Sequence, residues 1–115
     1  MKLQAVYNKV KKHLLAQNKR SVLTSTPRDC AYLAPDGSKC AVGCLIKKKY
    51  YNTEIEGWSV ASTRVETALT NSGVEVTENG MSILLDCLRN IHDHREPKEW
   101  KKELVKLAKE FKLKP

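Results

Sequence analysis

The chain has 115 residues, of which 41% are hydrophobic and 30% charged, and a formal net charge of +8. That length suits one domain, 1–115, with one core, and the composition is that of a globular chain rather than a disordered one. No apolar run approaches the roughly 20 residues that a membrane span needs, so no membrane partner is expected.

The first twenty residues hold Lys2, Lys9, Lys11, Lys12, Lys19 and Arg20 and no acidic residue. Their lysine punctuation, without a long apolar core or small-residue cleavage site, is unlike a secretory signal and points to a cytoplasmic protein. Within them Leu3, Val6, Tyr7, Val10 and Leu14 recur at helical spacing, which predicts a helix over 2–17 with one buried stripe. A loop follows at STPRD, residues 25–29.

The next stretch, CAYLAPDGSKCAV at 30–42, reads as a tight β-hairpin. Pro35 presets the first turn dihedral, Asp36 tolerates the bend, and Gly37 supplies positive φ. A short helix is expected after it, with Leu45 and Ile46 inward and Lys47, Lys48 and Lys49 outward, although Gly43 weakens it. Thr63, followed by Glu66, matches a capping box for a helix over 64–71 that ends at Ser72–Gly73. VEVTENG reads as a short strand and turn. Ile83, Leu84, Cys87, Leu88 and Ile91 predict a helix over 80–94. Pro97 opens a last helix, whose stripe is Trp100, Leu104, Leu107, Ala108 and Phe111. The expected class is therefore α+β and mostly helical, with four to five helices and one small β-hairpin.

Four cysteines in a chain without an export signal are expected to be reduced thiols. Cys30, Cys40, Cys44, Cys87 and His94 are the residue types zinc prefers, and Cys40 and Cys44 would share one face of a helix. Their spacing is not that of a zinc knuckle, however, and Cys87 sits among leucines as a small buried hydrophobe would. A thiol nucleophile is the second reading. Cys40 near a helix start would meet N–H groups that lower its pKa, and His92 and Asp93 supply an imidazole and a carboxylate. Neighbours on a helix point about 100° apart, which argues against Asp93 orienting His92. Burial of the thiols as packing residues is the simpler account.

Lys9, Lys12, Lys19, Arg20 and Lys47–Lys49 offer a basic surface for an anionic partner, against the plainer reading of a solvated lysine coat. Tyr50 and Tyr51 beside the lysine run are placed to stack on bases or to pack. Trp58 is either a partner anchor or folds back over the hairpin. Cys30, Tyr32 and Cys40 are expected to meet the His92 end of the later helix.

The residues Cys30, Tyr32, Pro35, Asp36, Gly37, Cys40, Ala41 and Gly43, with Ile91, His92, Asp93 and Trp100, resemble a pattern in small uncharacterised proteins of tailed bacteriophages. The resemblance covers residues 1–111 in outline and implies an accessory protein of the host bacterial cytoplasm. It carries no established activity, and position 44 in that pattern is often not cysteine, which speaks against Cys44 as an obligatory ligand. The function expected is non-catalytic binding of a host protein or complex. Nonspecific nucleic-acid binding is the alternative, and a zinc-binding or thiol-dependent enzyme the second alternative.

Overall fold

The structure is a computed structural model that describes residues 1–23 and 30–115; the loop expected at 25–29 lies outside them. The order of elements is α1 (Leu3–Gln17), three single 3₁₀ turns (Gly43–Leu45, Lys48–Tyr50 and Thr53–Ile55), α2 (Thr63–Asn71), α3 (Met81–His94) and α4 (Pro97–Glu110). Its radius of gyration, 13.0 Å, is that of one compact domain of this length. Among the described residues no helix is long and apolar enough to cross a membrane.

The helices form where periodicity predicts them. α1 buries Val6, Tyr7, Val10 and Leu14 against α4, α3 and the 43–45 turn. Asn18 ends it in the left-handed region, returning its N–H to the Leu14 carbonyl. Tyr7, fully buried, donates its hydroxyl to the Leu104 carbonyl at 2.9 Å and so ties α1 to α4. α4 starts on a capping box between Glu96 and Glu99 with Pro97 in the first turn. It buries Trp100, Leu104, Leu107 and Ala108, each large apolar side chain contributing roughly 1.5–3 kcal/mol.

Four local expectations are corrected. The N-cap of α2 is Ser62, whose Oγ accepts from Val65 N–H at 3.3 Å, so Thr63 is the first helical residue. The buried face of α3 is Met81, Leu84, Leu85, Leu88, Ile91 and His92, while Ile83 is 61% exposed and Cys87 half-buried. Both faces share Leu84, Leu88 and Ile91, and the packing of α1 and α4 against α3 selects the second. The 74–79 segment turns instead of forming a strand, and Glu75 N–H donates to the Met1 carbonyl.

The fourth correction is the β-hairpin, and with it the α+β class: the described residues are all-helical, with no strand and one isolated bridge, Val22 to Cys30. The turn itself is present. Gly37, at φ 88°, donates to the Ala34 carbonyl at 2.9 Å, and Ala34 N–H donates to the Ser38 carbonyl at 2.8 Å. The ladder then stops because side chains claim its next groups. Glu56 accepts from the N–H groups of Tyr32 (2.9 Å) and Leu33 (3.1 Å), while Gln17 accepts from Lys39 N–H and donates to its carbonyl, both at 2.9 Å. From Cys40 the chain already coils, with Cys44 N–H on the Cys40 carbonyl at 3.1 Å. Gly43 belongs to this crossing: a Cβ there would lie 1.9 Å from the Tyr32 carbonyl oxygen.

Candidate functional site

His92 is the centre of the one cluster of metal-ligating residue types among the described residues. Its ring is fully buried, with Trp100 stacked on it at 5.5 Å between centroids and 27° between planes. Nε2 accepts the Ser21 backbone N–H at 3.0 Å, and Nδ1 faces Asp93 Oδ1 at 2.7 Å. The amide can only donate, so Nε2 carries the lone pair and Nδ1 the proton: the ring is the neutral Nδ1–H tautomer, donating to Asp93. Asp93 does orient His92, contrary to the expectation from helical spacing. The 100° offset separates the Cβ directions, yet both residues sit in the last turn of α3, where the two short side chains fold toward each other.

Asp93 is shared three ways. Besides His92 it takes Arg89 Nε at 3.4 Å, one helical turn back, and Cys30 Sγ completes a triangle of atoms all within 4.8 Å of one another. Burial acts to raise the Asp93 pKa, but the bonds from His92 and Cys30 and the charge of Arg89 outweigh it, and the carboxyl lies below its usual value. The same contact, after burial, pushes the Cys30 thiol up to about 12. Arg20 closes the end of α3, donating to the carbonyls of His92 (3.3 Å) and Arg95 (2.8 Å) and pairing with Glu96 at 3.6 Å.

These facts bear directly on the two chemical readings. Zinc would need a ring lone pair of His92, and the only one is committed to an amide; moving the proton to Nε2 would set two N–H groups against each other. The triangle therefore does not fit a metal. Cys40 is fully enclosed, and burial lifts its pKa to about 12 against the opposing N–H groups of Gly43 and Val42, which corrects the expectation that a helix start would lower it. Cys44, whose thiol donates to the Ala41 carbonyl at 3.2 Å, is likewise pushed up to about 12 by burial, outweighing Lys9 and Lys39. Neither has the thiolate character of a nucleophile. Cys87 and His94 line a separate depression against α4, formed with Glu103, Lys106 and Leu107.

Cys30, Tyr32 and Cys40 do meet the end of α3, as expected. With Trp58, Arg89, Asp93 and His94 they line a cleft of about 450 Å³. The Tyr32 hydroxyl donates to the Trp58 carbonyl, and the indole stays half exposed beneath the Arg64 guanidinium, 5.3 Å from the ring centroid. Trp58 is thus not folded away.

The basic residues divide differently from the grouping expected. Lys19 is spent on Asp36 at 2.6 Å and Arg20 on the end of α3. Lys9 and Lys12 stand exposed one turn apart on α1. Beside them lies Lys39, whose backbone is held by His13 and Gln17, and Lys47, Lys48 and Lys49 follow the 43–45 turn that packs on α1. Among the described residues no carboxylate lies within 4 Å of any of these six ammonium groups. Residues 1–52 contain 11 basic and two acidic residues, a net +9, against ten and 11 in 53–115, a net −1. Tyr50 is half-buried with the Lys49 ammonium 5.0 Å over its ring, and Tyr51 donates its hydroxyl to Glu56 at 2.7 Å.

Comparison of the chain with protein-family models, with curated proteins and with solved structures finds no match. Ser21, Glu56 and Arg89 are site residues that sequence reasoning missed. Only Arg89 left a signal, its spacing of four from Asp93 on a helix. The bonds of Ser21 and Glu56 span 71 and 24 residues, which no local pattern records.

Proposed function

We propose that this chain is a non-catalytic binding protein that holds an anionic macromolecule of its host cell on the lysine face of α1 and residues 39–49. One observation carries the reading: six lysines gather on adjoining elements without carboxylate partners among the described residues, in the half of the chain that holds the entire positive excess. A coat that serves only solubility intersperses both signs, as the C-terminal half does. The His92 cluster supports the non-catalytic part. Its imidazole has no free nitrogen, and the nearby thiols are protonated at neutral pH. An accessory role in a phage-infected bacterium, implied by the tailed-phage resemblance, agrees with a small basic domain of this kind.

The test is binding to two simple polyanions, heparin and poly-glutamate, by calorimetry at 50 mM salt. The expected result is binding that falls at least about tenfold when Lys9, Lys12 and Lys48 are changed together to glutamate. Undiminished binding by that variant, or none by the parent chain, would overturn the reading.

A further inference from the structure

We infer that the anion held by this face is the sugar–phosphate backbone of a double-stranded nucleic acid, bound without sequence preference. The inference rests on the reading of the lysine face given above and narrows its partner.

One feature of the face selects nucleic acid over an acidic protein, and a second selects a duplex over a single strand. First, protein interfaces are depleted in lysine at their centre and depend on buried aromatic, aliphatic or arginine anchors. The lysine face has none: the exposed large hydrophobic side chains among the described residues are Trp58 and Ile83, and neither is on α1 or the 39–49 segment. The face is built of lysine alone, whose flexible point charges can meet successive phosphates one at a time. Second, among the described residues no ring on this face is a bare stacking platform. Tyr50 is half-buried with Lys49 across it, and Tyr51 is tied to Glu56. Single-strand binders stack bases on open aromatic rings, so the face favours the backbone of a duplex. Reading of base edges in a groove needs arginine, asparagine or glutamine projecting from a recognition element. The amides of α1 near the lysines are engaged within the chain: Asn8 accepts from Gln4 at 2.9 Å, and Gln17 bonds the N–H and carbonyl of Lys39.

The geometry also sets the salt dependence. If all six lysines meet phosphates, log K falls with log salt at a slope of about −5, so affinity drops roughly a thousandfold between 50 and 200 mM salt.

The experiment is fluorescence anisotropy with a labelled 20-base-pair DNA duplex, the RNA duplex of the same sequence, a shuffled duplex and the single strand. Poly-glutamate is measured in parallel. The expected result is tighter binding of duplex than of single strand, equal for both sequences, with at least about a tenfold loss in K9E/K12E. K101E/K109E makes the same change in net charge on exposed positions of α4 and should lose less than about twofold. The two duplexes identify whether the backbone is DNA or RNA. Equal losses in the two variants would overturn the assignment to this face. Poly-glutamate binding without duplex binding would overturn the nucleic-acid inference while leaving the anionic-partner reading standing; binding of neither would remove both.

Discussion

Replacing His92 by phenylalanine separates a structural histidine from a working one. The aromatic ring keeps its place beside Trp100, so the loss is confined to two hydrogen bonds. The Ser21 N–H loses an acceptor at 3.0 Å in a residue with no exposure, and a buried amide without a partner costs about 1–3 kcal/mol. Asp93 loses its 2.7 Å bond but keeps Arg89 and 13% exposure, which limits that cost to about 1 kcal/mol. The sum is a destabilisation of about 2–4 kcal/mol. Unfolding entropy of about 2.1 cal/mol/K per residue makes this a fall in Tm of about 8–16 °C for a chain of this size. Thermal unfolding followed by circular dichroism measures it. Duplex affinity at 15 °C, below the transition, should be unchanged. A two-bond ¹H–¹⁵N spectrum of the parent protein should show the Nδ1–H tautomer. A Tm shift under about 3 °C, or an Nε2–H tautomer, would refute the assignment of the two bonds.

Gly43→Ala should cost about 3 kcal/mol or more, since its Cβ would meet backbone at 1.9 Å. Gly37→Ala, with positive φ but open space, should cost only about 1–2 kcal/mol; urea unfolding that ranks them the other way would sink the Tyr32–Gly43 contact. Because the folded Asp93 carboxyl lies below its unfolded value of 3.8, its contribution is complete above that value and is lost as pH falls through the folded value. Asp93→Asn should therefore flatten the acid limb of stability against pH, and an unchanged limb contradicts the role assigned to the carboxylate. Zinc or a chelator should leave Tm unmoved, because no His92 lone pair is free. All four thiols should alkylate slowly with iodoacetamide at pH 7.5 until the protein unfolds; stabilisation by zinc, or one fast thiol, would reopen the chemical readings.

The helices were legible because their causes are local. A stripe at i, i+3 and i+4 predicts α1 and α4 to within a residue or two, and Pro97 marks where α4 begins. The hairpin misled for a related reason. Pro35, Asp36 and Gly37 encode a turn, and the turn is there, but a ladder needs free backbone groups on both arms. Those groups are taken by Glu56 and Gln17, residues whose distance along the chain hides them from any window around the turn. On α3 the pattern admits two overlapping faces, and only the packing of α1 and α4 distinguishes the one with Met81 and Leu85 from the one with Ile83 and Cys87.

Sequence alone determined the helical segments, the turn at Pro35–Gly37 and the lysine excess of the first half. Each follows from side-chain type and short-range spacing. Tertiary structure decided what those residues can do. The amide of Ser21 fixes the tautomer of His92, burial keeps the thiols protonated, and ion pairs remove Lys19 and Arg20 from the basic surface while leaving Lys9, Lys12 and Lys47–Lys49 without carboxylate partners among the described residues. Protonation and charge availability depend on which groups lie within a few ångströms in space, and that is set by contacts between residues tens of positions apart.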